Sequence, residues 1–381
     1  MKLFDVYPLY KVEPVKAYGS TVIDKNGTEY LDLYGGHAVI SIGHSHPHYV
    51  KRLKEQVDKI GFYSNAVQNS LQNQLAQKLG ELSGYNDYQL FLCNSGAEAN
   101  ENALKLASFY TEKSRIIAFN NAFHGRTSAA VAVTDNPRIN APLNKQQNVT
   151  FLPLNQIELV KAELAKEDVC ALIIEPIQGV GGLDEGTTAF FQEVEQLCQE
   201  FKAVLILDEV QSGYGRTGKF FAHQYHGITP DIIAIAKGMG NGFPVGGIMI
   251  APHIEPSYGL LGTTFGGNHL ACAAALSVLE VIKTENLIDN ARLTGDYFLS
   301  QIYGLSGLKK IKGRGLMLGL EFDFEVAELR RKLICDQHIF TGGAMNKKLL
   351  RILPPLTIGK KEIDQFIKAL QSVLKSQKVG L

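Results

Sequence analysis

Between residues 85 and 250 the chain alternates short aliphatic and β-branched runs with stretches in which apolar side chains recur every three or four positions. The runs YQLFLC, RIIAF, AAVAV, VCALIIE, AVLILDE and DIIAIAK predict strands. Ala97 to Lys113 and Ala189 to Phe201 predict helices between them. Strands alternating with amphipathic helices give an α/β fold whose mostly parallel sheet is covered on both faces. A further helix is predicted from Asn268, a good capping residue, through LACAAALSVLEVIK. Beyond it the pattern changes: LKKIKGRGLMLGLEF reads as a strand pair, followed by a helix, the RILPP segment and a terminal helix beginning near Lys360.

These patterns divide the chain into residues 271–381, holding an interdomain helix and a small α+β domain, and residues 46–270, a large ligand-binding domain. Residues 1–45, with the short strand candidates KAYGSTVID and EYLDLYG, are expected to pack with the small domain. A length of 381 residues suits two domains.

Charge narrows the choice of partners. Lys plus Arg and Asp plus Glu number 38 each, so no overall field draws in nucleic acid or an anionic membrane. No apolar run approaches the about 18 residues needed to span a bilayer, and MKLFDVYPLYKVEP lacks the apolar stretch of a secretion signal, so a cytoplasmic protein is expected. The five cysteines are scattered and form no C-x-x-C pair, which predicts reduced thiols and no metal site. His44, His46 and His48 alternate in GHSHPH, but local packing is the better reading than a metal tract.

The candidate chemistry clusters at strand ends. NSGAEANE (Asn94 to Glu101) lies where a strand gives way to a helix, a position whose free N–H groups suit an anion; read alone, it is equally an ordinary turn capped by Ser95. GYGRTGKF has nucleotide-loop spacing, but Phe220 stands where a Ser or Thr is needed, and GVGG lacks a dinucleotide fingerprint. Asp208 closes the apolar run AVLILD and Lys237 closes DIIAIAK, which puts both at the carboxyl edge where open α/β sheets bind ligands. A lysine in such close apolar quarters has a lowered pKa and becomes able to attack a carbonyl.

Taken together, NSGAEANE, FHGRT, LDEVQSGYGRTG, AKGMGNGFPVGG and TFGGN resemble, in order and over essentially the whole chain, the class III aminotransferases. GHSHP, FHGR and RILPPL look most like the acetylornithine and succinylornithine branch of that family. The resemblance implies pyridoxal 5'-phosphate as cofactor and the fold of type I enzymes using it, with a large, mostly parallel seven-stranded sheet domain and a smaller α+β domain. It implies Lys237 as the residue joined to the cofactor, Asp208 against the ring nitrogen, Phe123 and Val210 on the two ring faces and Gln211 on the ring hydroxyl side. His124 is a further cofactor contact by the same likeness. Ser95, Gly96 and Ala97 match the phosphate cup, and Thr264 matches a residue reaching the phosphate of a neighbouring subunit, which implies a homodimer.

Arg126 and Arg351 resemble the arginines that take the carboxylates of the amino donor and of 2-oxoglutarate or glutamate. The implied reaction moves the terminal amino group of an N-acylornithine to 2-oxoglutarate; ornithine, 4-aminobutyrate or diamine transfer and an aminomutase are the alternatives. A catalytically silent binding module of this fold is opposed by the presence of Lys237, Asp208, Gln211 and both arginines. One departure stands out: EPIQGVGG carries Val180 where the family commonly has an acid. An uncovered Arg351 would then favour a succinyl over an acetyl substrate.

Overall fold

The computed structural model describes residues 1–145 and 148–378. Three sheets organise it. The first joins β1 (Pro14–Tyr18), β2 (Thr21–Asp24) and β3 (Glu29–Asp32). The second has seven strands: β4 (Gln89–Cys93), β5 (Arg115–Phe119), β6 (Val149–Leu152), β7 (Val169–Ile174), β8 (Val204–Asp208), β9 (Ile232–Ile235) and β10 (Gly246–Ile250). Their order is β4-β10-β9-β8-β7-β5-β6, and β10 alone runs against the rest. The third sheet comprises β11 (Leu308–Arg314), β12 (Met317–Phe322) and β14 (Leu349–Ile352), while β13 (Ile339–Phe340) leaves that region to pair in parallel with β3.

The continuous apolar runs of the large sheet follow from its two covered faces. Side chains alternate along each strand, so Ile116 and Ala118 of β5 face one side and Ile117 and Phe119 the other. On the first side they meet Ala99, Ala103 and Ala107 of the Gly96–Thr111 helix; on the second lie Phe190, Phe191 and Val194 of the Thr188–Phe201 helix. The His269–Thr284 helix is buried along most of its length, and the Asn268 side chain caps it by accepting from the Ala271 N–H at 2.9 Å.

One expected strand is wrong. AAVAV lies in a short helix, Ser128–Ala132, that packs on the Gly96–Thr111 helix. Alanine is the strongest helix former and a poor strand residue, so three alanines in five positions outweigh the two valines. Two strands escaped the reading, β6 and the glycine-led β10, and they complete the sheet of seven.

The histidine tract is packing: His44 pairs with Asp32 at 2.8 Å, His46 with Glu285 at 2.9 Å and His48 with Glu280 at 2.6 Å. Among the described residues no cluster suits a metal ion and no helix is long and apolar enough to cross a membrane. Cys93, Cys170, Cys198 and Cys272 are buried free thiols, and Cys335 is exposed.

Candidate active site

The carboxyl ends of β8 and β9 and the start of the Gly96–Thr111 helix converge on one cavity of about 390 Å³. Ten of the twelve residues expected at the site line it: Ser95, Gly96, Ala97, Phe123, His124, Arg126, Asp208, Val210, Gln211 and Lys237. Neighbouring parallel strands bring Asp208 and Lys237 together, because β8 and β9 are in register and each ends at the same edge. Lys237 holds a left-handed backbone at φ 46°, an unfavourable shape for a side chain with a Cβ and of the kind stored at functional sites. Burial pulls its amine below the ordinary lysine range; Asp208 and Glu175 oppose that pull, and Arg351 adds to it.

Asp208 is buried and held from three sides. Its Oδ2 accepts from Asn100 Nδ2 at 2.8 Å and pairs with His124 Nδ1 at 2.7 Å, while Oδ1 accepts from the Val210 N–H at 3.0 Å. Three fixed partners keep the carboxylate aimed into the cavity. His124 Nε2 is buried and has no hydrogen-bond partner among the described residues, which fits a site shaped for a further group.

At the other end, Ser95 Oγ accepts from the Glu98 N–H at 3.2 Å, which caps the helix and leaves the hydroxyl hydrogen available. Gly96 and Ala97, the first two residues of the helix, line the cavity, and the free N–H groups of a helix start suit phosphate. Gly96 must be glycine, since a Cβ there would lie 2.6 Å from Val210 Cγ1. An anion cradle at one end, a carboxylate at the other, an aromatic and an aliphatic wall, and one amine between them fit a phosphorylated pyridine carrying an aldehyde.

Arg351 and Thr264 are the two that do not line the cavity. Arg351 stands behind its wall at 3% exposure, donating from Nη1 to Gly179 O at 2.7 Å and Gln211 Oε1 at 3.3 Å, from Nε to Gly343 O at 2.6 Å and from Nη2 to the Tyr34 hydroxyl at 3.2 Å. It has no carboxylate partner among the described residues, and burial pulls its guanidinium below the ordinary range. Thr264 is exposed on the loop before Asn268; its neighbour Thr263 accepts from Asn94 Nδ2 at 3.4 Å beside the anion end.

Two lining or supporting residues went unassigned in the sequence. Asn100 interrupts the apolar stripe Ala99, Ala103, Leu104 and Ala107, and a polar residue at such a buried helical position was the available signal. Glu175 follows the fully apolar β7 and is itself buried. Burial pushes its carboxyl up to about 7, with His124 pulling it down and Asp208 adding to the rise.

A strand-edge lysine facing a clamped aspartate beside a helix start defines an aminotransferase-type site, and the Aminotransferase class-III family model matches residues 6–374. The chain belongs to that family. It is 39% identical over 378 residues to the acetylornithine aminotransferase of Bacillus subtilis (strain 168), covering 98% of this chain and 97% of that one. To the succinylornithine transaminase of Photorhabdus laumondii it is also 39% identical, covering 96% and 94%. Among solved structures, the ornithine aminotransferase of Toxoplasma gondii superposes with a TM-score of 0.91 at 28% identity, covering 98% of this chain and 93% of that one.

Proposed function

We propose that this chain is a pyridoxal 5'-phosphate-dependent aminotransferase that moves the terminal amino group of N2-acetylornithine or N2-succinylornithine to 2-oxoglutarate. The products are the N-acylglutamate 5-semialdehyde and glutamate, and the setting is arginine biosynthesis in the cytoplasm. The observation that carries this reading is the meeting of Lys237 and Asp208 in one cavity with the helix start at Gly96. The named relatives support the substrate class.

When bound, the cofactor supplies an electron sink that makes the proton on the amine-bearing carbon removable. Lys237 is the residue to hold the cofactor and to move that proton, since burial favours its neutral, basic form. Asp208, fixed by Asn100, His124 and Val210, is placed to keep the ring nitrogen protonated. Phe123, Val210 and Gln211 line the same cavity and would hold the cofactor's ring there. The N–H groups of Gly96 and Ala97 with the Ser95 hydroxyl take the phosphate. Arg126 takes the carboxylate of the amino donor and Arg351 that of 2-oxoglutarate.

The reading includes a homodimer with Thr264 serving the partner's cofactor. Its support is an apolar surface beside the anion end: Phe62, Tyr63, Val67 and Phe265 are exposed around Asn65, which donates to Thr263 O, and the Phe62 and Phe265 rings sit 5.3 Å apart. Such a patch on a single chain marks a contact surface.

The deciding experiment compares N2-acetylornithine, N2-succinylornithine and free ornithine as donors to 2-oxoglutarate, with Lys237→Ala as control. A strong preference for an acylated donor, abolished in Lys237→Ala, is the expected result. Preference for free ornithine overturns the substrate assignment, and turnover surviving in Lys237→Ala overturns the mechanism.

A further inference from the structure

Glu175 is a cavity-lining acid to which the reaction above gives no part. It stands just past β7 at 6% exposure, and its two oxygens are divided between two loops. Oε1 accepts the N–H of Phe123 at 2.9 Å, and Oε2 accepts the N–H of Gly179 at 2.7 Å. Phe123 follows β5 and Gly179 follows β7, which are neighbours in the sheet. A carboxyl group offers an acceptor at each of its two oxygens, so it is suited to joining two backbone N–H groups. Gly179 is held at its other end as well, because its carbonyl receives Arg351 Nη1 at 2.7 Å. A Cβ on Gly179 would meet Gln211 Oε1 at 2.2 Å, so any larger residue there would push the Gln211 side chain out of its place.

We propose that Glu175 is a positioning residue that locks the Phe123 wall to the Gly179 loop, so that the cofactor-facing ring and the guanidinium of Arg351 are set as one unit. This rests on the assignment of Arg351 to the carboxylate of 2-oxoglutarate. The lock has two branches. The Phe123 branch bears on the cofactor directly, and the Gly179 branch bears on the acid through Arg351. Glu175→Gln keeps the size of the side chain but leaves a single acceptor oxygen for the two N–H groups, so the loops can no longer both be held and both branches loosen.

The test uses full-length Glu175→Gln, Glu175→Asp, Arg351→Ala and the Glu175→Gln/Arg351→Ala pair. Two quantities are read: KM for 2-oxoglutarate and for N2-acetylornithine, and the dissociation constant of pyridoxal 5'-phosphate titrated into apoprotein. Glu175→Gln is expected to raise KM for 2-oxoglutarate about tenfold and KM for the donor less than about twofold, with Glu175→Asp in between. In the Arg351→Ala background the same change should add almost nothing to KM for 2-oxoglutarate, because the Gly179 branch, through which it reaches the acid, ends at Arg351. The cofactor should bind more weakly in both backgrounds.

The same rise in KM with and without Arg351, or equal rises for both substrates, overturns the proposal. If Arg351→Ala alone leaves KM for 2-oxoglutarate unchanged, what falls is the assignment of Arg351, and that appears before the Glu175 variants are compared. Failure of both Glu175 variants to fold makes Glu175 a folding residue and likewise overturns the proposal.

Discussion

Arg126 lies exposed on the loop after β5, at the rim of the cavity, and no ion pair with another described residue holds it. Arg351 lies within β14 behind the cavity wall, with Nε, Nη1 and Nη2 already directed at Gly343 O, Gly179 O and the Tyr34 hydroxyl. As sequence they are the same residue, and each is expected to meet a carboxylate. As structure they are different instruments. The buried guanidinium is desolvated and oriented by the fold, so on the proposed reading little further ordering would be needed and each hydrogen bond to a carboxylate would act in a low-dielectric setting. The exposed one must be ordered when the ligand binds, and it works in water, where ion pairs are weak and salt-screened.

The strongest way to break this contrast is to remove the planar fork at the buried position. Arg351→Lys keeps the charge but cannot reproduce donors in three directions. KM for 2-oxoglutarate should rise roughly ten- to hundredfold, in keeping with the ~1.5–3 kcal/mol of a hydrogen bond to a charged group. Steady-state kinetics with donor and acceptor varied separately checks this, and an unchanged KM for 2-oxoglutarate would show that the buried guanidinium does not meet the acid.

The exposed position should respond less and differently. Arg126→Lys is expected to raise KM for the N-acylornithine about threefold, since a mobile ammonium in water replaces a mobile guanidinium at small cost. Raising the ionic strength from about 0.01 M to 0.15 M should weaken donor binding more than acceptor binding, because the Debye length falls from about 30 to 8 Å around the exposed charge. Equal salt sensitivity of the two KM values would erase the distinction between the two sites.

That distinction was invisible in the sequence, and the reason is physical. The runs ending at Asp208 and Lys237 were legible because a strand covered on both faces has to be apolar throughout, so a charged residue at its end announces the ligand edge. Asn268 was legible as a cap because capping depends on residues three positions apart. β10 was not: Gly246 and Gly247 look like loop residues, and their need for glycine comes from Ser95 O and Phe91 O, which a Cβ would approach to 2.8 and 2.6 Å. Glu175 was not either, since one of its partners, Phe123, is 52 positions away. The burial of Arg351 depends on Tyr34, 317 positions distant, and on Gly179, 172 positions distant. Local chemistry could be read from the chain; the environment that leaves one arginine buried and hydrogen-bonded and the other exposed is assembled from remote segments.

Val180 offers the gentlest handle on the contrast. It lines the cavity next to Gly179, whose carbonyl already receives Arg351, and it places no charge there. Val180→Glu would put a carboxylate beside the buried guanidinium, which has no acid partner among the described residues, and so install a competitor for the incoming acid. Removing that competitor at each turnover costs part of the binding free energy, so KM for 2-oxoglutarate should rise about three- to fivefold, within the ~0.2–1 kcal/mol of a partly solvated ion pair. The donor comparison carries the sharper information. If the uncovered Arg351 also accepts a carboxylate at the end of the acyl group, Val180→Glu should depress kcat/KM for N2-succinylornithine more than for N2-acetylornithine, which has no such group to lose. An equal change for both donors would confine Arg351 to 2-oxoglutarate and glutamate, and leave the exposed Arg126 end of the cavity to tell one acyl group from the other.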